Sequence, residues 1–290
     1  MRNKFRSFGI LGGDKRQLYL ADSLVKDGFR VVLGGFDSLQ SFGDISIADM
    51  RTALVRSEAV LLPLPPVRAD GSLNAPFGEG MIVFDEDEQA LLRQKPIFTA
   101  MRDSLLRAYP ALKGARIYDY AARDDFAILN AVPTAEGAVA CAMSAYEGTI
   151  AGTRVLVTGF GRIGKILARL LTALGARVTV SARSASDCAY IRSLGYRCCR
   201  TDRLEDVRGF QLVFNTVPAL IFDRGLLQNT DRSTLLIDLA SLPGGVDFDA
   251  AEALGIDARR ALSLPGKCAP KTAGEIIKTT VFRMIEEVNW

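Results

Sequence analysis

The sequence contains no histidine. This excludes Ser-His-Asp and Cys-His nucleophilic systems, and the histidine–acid pair with which many 2-hydroxy acid dehydrogenases move protons. Acid–base work must fall to Asp, Glu, Lys, Tyr, Cys or water. The five cysteines, Cys141, Cys188, Cys198, Cys199 and Cys268, form no C-x-x-C pair. With imidazole also missing, no metal site is expected. The thiols read as reduced and mostly buried, with Cys268 set apart by its place in a candidate functional loop. No stretch approaches the ~20 continuous apolar residues of a membrane helix. The apolar run Phe8–Leu11 is cut short by Gly12, Gly13 and Asp14, so it is no signal-peptide core. A cytoplasmic protein without a membrane partner is the expectation. A net charge of only +3 gives no argument for a nucleic-acid partner either.

What is present is an ordinary globular balance, 49% apolar and 24% charged, over 290 residues, which suits two domains. Short apolar strands alternate with helical patterns. Phe8–Leu11, Arg30–Leu33, Ala59–Leu62, Pro96–Ala100 and Arg116–Tyr120 read as strands, the third stopped by Pro63, Pro65 and Pro66. Asp14 and Gln17 form a capping box for a helix whose face is Leu18, Ala21, Leu24 and Val25, ended by Gly28. A helix from Pro133 to Gly148, with proline in its first turn and Val139, Ala142, Met143 and Tyr146 on one face, leads to a second alternating region. There Arg154–Thr158, Arg177–Ser181, Gln211–Asn215 and Leu235–Asp238 read as strands. Ile163, Leu167, Leu170, Leu171 and Leu174 stripe the helix after the first of them. A last helix, capped by Thr272 and Glu275, carries Ile277, Val281, Met284, Ile285 and Val288 on one face.

The pattern predicts an α/β chain of two doubly wound parallel-sheet domains, the second a Rossmann dinucleotide-binding domain, joined by long crossing helices. Residues 1–132 with 268–290 are expected to form a discontinuous N-terminal substrate domain. Residues 133–149 form a linking helix, and 150–267 the cofactor domain.

Gly159, Gly161 and Gly164 make a G-x-G-x-x-G turn between a strand and a helix, together with Phe160, Arg162 and Ile163. The first glycine permits the turn, the second admits a pyrophosphate, and the third allows close helix–strand packing at a positive helix N-terminus. An NAD site normally has a carboxylate at the end of the next strand. This sequence has Ser181, Arg183 and Ser184 there, so a 2′-phosphate would meet a guanidinium and hydroxyl donors. NADP is therefore expected in preference to NAD. The alternative is a solvated Arg183 and NAD bound without its usual carboxylate. Asn215, Thr216, Val217 and Pro218 follow one strand and Asp238 ends another, where open α/β sheets bind ligands.

A second candidate site begins at Gly12–Gln17. Its helix N-terminus with Lys15 and Arg16 suits a carboxylate, although a capped helix with an exposed basic pair reads equally well. Thr134 and Glu136 open the linking helix, and Lys267 lies in the glycine–proline segment Leu264–Gly274. Lys267 could hold a carboxylate or a leaving hydroxyl. Glu136 could equally be a charge favouring the helix dipole.

Taken together, Gly12–Gln17, Asn130 with Pro133–Gly137, Gly159–Gly164 and Pro265–Gly274 resemble the dipicolinate synthase A-subunit family of spore-forming bacteria, over nearly the whole chain. The resemblance implies formation of pyridine-2,6-dicarboxylate from 4-hydroxy-tetrahydrodipicolinate by loss of water and hydride transfer to NADP. It implies a partner, the flavoprotein-like B-subunit of dipicolinate synthase, and expression in the mother cell during sporulation. A homo-oligomer is also expected. On this reading Arg16, Lys267 and Thr134 bind a small dicarboxylate, and Lys267, Glu136 and Asp14 are the candidate catalytic groups. Two rivals stand beside it: another two-domain NADP dehydrogenase of an amino or keto acid, and a non-catalytic NADP-binding regulatory protein.

Overall fold

Asp14 starts the first helix as the sequence predicts. Its side chain accepts from the first turn while the Gln17 side chain accepts from the Asp14 N–H, completing the capping box. The computed structural model describes residues 4–288; the first three and last two residues, which the expected first domain includes, lie outside the described residues. The chain divides into two compact units, residues 1–130 with 269–290 and residues 131–268.

In the first unit the order is β1 (Ser7–Leu11), α1 (Lys15–Lys26), β2 (Arg30–Gly34), β3 (Ser46–Ala48), α2 (Met50–Val55), β4 (Ala59–Leu61), α3 (Glu86–Arg93), β5 (Ile97–Thr99), α4 (Arg102–Ala108), β6 (Ile117–Asp119) and the start of α5 (Asp124–Ala145). The six strands are parallel in the order β3-β2-β1-β4-β5-β6, with the winding reversing between β1 and β4. One face is sealed by Phe8, Ile10, Leu20, Leu24 and Leu33, together with Ile277 and Val281 of the last helix. Each such buried side chain contributes roughly 1.5–3 kcal/mol.

In the second unit α5 ends and is followed by β7 (Arg154–Thr158), α6 (Arg162–Ala173), β8 (Arg177–Ala182), α7 (Ala185–Ser193), β9 (Arg197–Arg200), β10 (Leu212–Asn215), α8 (Arg224–Gln228), β11 (Leu235–Asp238), α9 (Phe248–Leu254), β12 (Asp257–Arg260) and α10 (Leu264–Cys268); α11 (Pro270–Glu287) returns to the first unit. Its parallel order, β12-β11-β10-β7-β8-β9, is that of a dinucleotide-binding sheet, reversing between β7 and β10.

Several expectations change. The linking helix does not begin at Pro133. It begins at Asp124, with Asp124 and Asp125 in its first turn, so Pro133 sits inside it. It ends at Ala145, before Tyr146 and Gly148. Its buried face is Ala135, Ala138, Val139 and Ala142, whereas Met143 is exposed. α5 is long and apolar enough in composition to cross a membrane, yet this face packs into the second unit's core with Val155, Val157 and Leu167. Pro270 takes the first position of α11, so Thr272 lies inside the helix and forms no capping box with Glu275. Leu174 is the exposed C-cap of α6 rather than part of its buried stripe.

Candidate dinucleotide and substrate sites

The turn from β7 into α6 is built by glycines whose missing side chains are each accounted for. Gly159 has φ +93°, and a Cβ there would sit 2.5 Å from Thr216 Oγ1. At Gly164 a Cβ would lie 2.2 Å from the Gly159 carbonyl oxygen, so only glycine lets the helix meet the strand so closely. Gly161 differs: a Cβ there would meet nothing within 4 Å. That open space lies at the N-terminus of a 12-residue helix whose first turn has no side-chain cap. The arrangement suits a pyrophosphate, which needs backbone N–H donors and no side chain in the way.

A cavity of about 650 Å³ lies beside this turn, lined by Gly159, Phe160, Gly161, Ala182, Arg183, Ser184, Asp187, Thr201, Thr216, Val217 and Pro218. Arg183 is exposed on its wall. Ser184 lines it too, but its hydroxyl oxygen accepts from the Asp187 N–H and so caps α7. Phe160 is steadied by an edge-on contact with Tyr190 and by the Lys165 ammonium above its ring. The residues present fit a dinucleotide: a pyrophosphate cradle, a cationic rim and a cavity of suitable size.

Three expected contacts turn out to be supports behind this wall. Ser181 is buried and hydrogen-bonds the Thr201 hydroxyl at 2.8 Å. Asn215 is buried with its amide fully engaged: its oxygen accepts from Thr158 Oγ1 and the Val217 N–H, and its nitrogen donates to the Val217 carbonyl and Asp238. Asp238 is buried and also accepts from the N–H groups of Ala240 and Gly245. With three donors, this buried carboxyl group fixes the loops around it. Asn215 and Asp238 therefore shape the Thr216–Pro218 rim rather than facing the cavity. Arg162 is exposed beside the turn, and half-buried Ile163 packs on the unit's core. The sequence singles out neither Asp187 nor Thr201, which also line this cavity. No motif marks either one, and only the packing of α7 and the segment after β9 brings them to the cavity.

The other candidates form two groups. In the first unit Arg16 is 6% exposed and turned onto Asp14 in a two-pronged pair, with Nε at 2.9 Å from Oδ1 and Nη2 at 2.9 Å from Oδ2. Nη2 also donates to the Leu64 carbonyl. The expected open basic pair is thus reduced to exposed Lys15, with Nη1 of Arg16 making no hydrogen bond among the described residues. Tyr120 is buried nearby and donates to the Leu62 carbonyl, and burial pushes its hydroxyl well above the usual tyrosine range. In the second unit Lys267 belongs to the short helix α10, not to an extended loop. α10 lies against α5 at Gly137, where a Cβ would come within 2.9 Å of Leu264 and 3.1 Å of Cys268 Sγ. Glu136 and Lys267, both exposed, therefore project from adjoining turns. Thr134 is half-buried on the same stretch of α5. Cys268 is the exposed thiol, and no cluster suited to a metal exists among the described residues.

This sheet order, glycine turn and cavity define an NAD(P)-binding, dehydrogenase-like protein. Residues 133–230 match the NAD-binding domain of the D-isomer specific 2-hydroxyacid dehydrogenases, and residues 7–121 match the N-terminal domain of the dipicolinate synthase A-subunit. The dipicolinate synthase A-subunit of Bacillus subtilis (strain 168) is 34% identical over 287 residues, covering 97% of this chain and 96% of that one. The crystal structure of the dipicolinate synthase A-subunit from Bacillus halodurans matches with a TM-score of 0.87 at 32% identity, covering 98% of each chain. That of the Bacillus subtilis protein matches at 0.84 and 33%, covering 97% of this chain and 96% of that one. The chain belongs to the dipicolinate synthase A-subunit family. A transhydrogenase from Sinorhizobium meliloti, at 15% identity over 96% of this chain and 93% of that one, shares the fold with a TM-score of 0.68.

Proposed function

We propose that this chain forms pyridine-2,6-dicarboxylate from 4-hydroxy-tetrahydrodipicolinate with NADP as oxidant. Water leaves first. The dihydro ring then loses a hydride to the cofactor and a proton to a base or to water, so two electrons leave the ring and it becomes aromatic. When bound, the nicotinamide supplies the hydride acceptor. The chain's own part is binding, orientation and proton movement, and aromatisation lets positioning carry much of the catalysis.

The observation that carries this reading is the extent of the resemblance. A dinucleotide turn alone occurs in many families, but here the family match continues through the N-terminal unit. Arg183, exposed on the cavity wall, supports a 2′-phosphate and hence NADP. Arg16 is assigned one carboxylate of the substrate, through the N–H groups of Nη1. Lys267, which makes no ion pair among the described residues, is assigned the other carboxylate or the 4-hydroxyl. Thr134, half-buried on the same stretch of α5 as Glu136, is assigned a further contact with the substrate. Glu136 and Asp14 orient these cations or move a proton. With the family come a partner, the flavoprotein-like B-subunit, and a place in the mother-cell cytoplasm during sporulation.

The test adds freshly generated 4-hydroxy-tetrahydrodipicolinate and NADP to the purified chain and identifies the product by its ultraviolet absorbance. Dipicolinate is the expected product. Turnover of amino or keto acids in its place would make the chain another dehydrogenase, and turnover by the purified chain alone would decide against a regulatory protein.

A further inference from the structure

The amino ends of β7, β8 and β9 carry an arrangement that the proposed reaction does not use. Arg154 and Arg177 are paired in register on neighbouring parallel strands, and Arg197 is paired with Thr179, two residues beyond Arg177. Residues in register share a face, and positions two apart on one strand share it too. Arg154, Arg177, Thr179 and Arg197 therefore rise from the same side of the sheet. Like charges directly opposite one another are destabilising. Elsewhere in the unit Arg200, Arg208 and Arg259 each hold a carboxylate two residues away. Among the described residues Arg154, Arg177 and Arg197 make no ion pair. The guanidinium of Arg154 lies over the Phe210 ring at 5.2 Å, a contact that leaves its charge in place.

The three arginines line a cavity of about 300 Å³ with Thr179 and Tyr196. Neither of those hydroxyls has a hydrogen-bond partner among the described residues. With the Arg154 guanidinium held on Phe210, the Arg177 and Arg197 forks and the two hydroxyls form a donor set that meets no acceptor among the described residues. The cofactor turn follows the carboxyl end of β7, roughly 15 Å away along a five-residue strand.

We infer that this cavity is a second anion site, for a small multivalent oxyanion such as inorganic phosphate or a tricarboxylate. A concave seat of this size suits a compact ion, because the forked donors of Arg177 and Arg197 line it from neighbouring strands and carry unpaired positive charge.

The probe is inorganic phosphate, titrated calorimetrically into the full chain at constant ionic strength, with NADP saturating so that the glycine turn is occupied. The expected result is one saturable phosphate per chain, with at least tenfold weaker binding for Arg177→Gln/Arg197→Gln. Arg208→Gln, whose partner is Asp206, should bind phosphate like the parent. Retained NADP affinity shows that the double variant is folded; if it is not, Arg197→Gln alone on the edge strand replaces it. Citrate in a second titration should compete for the same site. Absence of saturable phosphate binding, or equal binding by the arginine variant, overturns the inference. So does binding of polyglutamate without binding of phosphate, since that would mark a protein-docking surface.

Discussion

Gly274 in α11 lies directly against Arg16 in α1: a Cβ at position 274 would come 2.6 Å from the Arg16 carbonyl oxygen and 3.0 Å from the Leu20 nitrogen. Both contacts are with backbone, so neither can move aside as a flexible side chain would. Gly12–Gln17 and the Pro270–Gly274 start of α11, which the sequence marks separately, thus pack together within the first unit. The missing side chain at 274 holds the turn bearing Arg16 in place.

Gly274→Val should therefore destabilise the first unit by about 1–3 kcal/mol, the usual cost of overpacking. Urea unfolding of the full chain measures this. Unchanged stability would mean that the two helices can separate without cost.

The proposed preference for NADP rests on Arg183, and Asp187 brings an opposing carboxylate to the same cavity. Arg183→Asp should weaken NADP binding far more than NAD binding, by about 1.5–3 kcal/mol or more. Asp187→Asn should act in the opposite sense and tighten NADP, because a like charge beside the 2′-phosphate is removed. Fluorescence titration of both cofactors checks the pair. Equal losses for NADP and NAD in Arg183→Asp would remove the argument for NADP.

The substrate assignments predict a kinetic split. Arg16→Ala and Lys267→Ala should each lower kcat/KM at least roughly tenfold, about 1.4 kcal/mol of transition-state stabilisation. NADP affinity should hardly change in Arg16→Ala. Because Arg16 is already paired with Asp14, its loss also leaves that carboxylate without its counter-ion. Asp14→Asn should therefore be milder than Arg16→Ala. Steady-state rates with the dicarboxylate substrate decide, and wild-type kinetics in Arg16→Ala and Lys267→Ala would show that these cations are structural.

Acid should loosen the end of α11. Arg123 bonds both Asp125 and Glu287, and Arg283 adds to Asp125. The hydrogen bond from Arg123 holds the Asp125 carboxyl down at about 2. An unfolded aspartate titrates near 3.9. The folded value is the lower one, so this stabilisation is present above about pH 4 and is lost as pH falls towards 2. Thermal unfolding from pH 5 to pH 2 should decline less steeply in Asp125→Asn than in the parent. Parallel pH curves would remove Asp125 from the account.

The sequence made the first unit's helix entry, the glycine turn and the central strands legible, because each has a local cause: Asp14 with Gln17, Gly159 with Gly164, and continuous apolar runs in a buried parallel sheet. It did not reveal β3, β9 or β12. Arg197–Arg200 and Asp257–Arg260 are polar edge strands without an apolar pattern, and Ser46–Ala48 is only three residues long. Pro133 misled because proline usually marks a first turn, whereas Asp124 and Asp125 start this helix nine residues earlier. Of the site, the cradle was visible, but the division between lining and support was not. Whether Asn215 and Asp238 face a cavity or each other is decided by tertiary packing, which residue spacing does not encode.

The most direct test of the central claim follows NADPH and dipicolinate together in one reaction of the purified chain with freshly generated 4-hydroxy-tetrahydrodipicolinate. The account predicts that the two appear at equal rates, one NADPH for each dipicolinate, and that both fall together in Lys267→Ala. Dipicolinate formed without NADPH, or NADPH formed without dipicolinate, would contradict it.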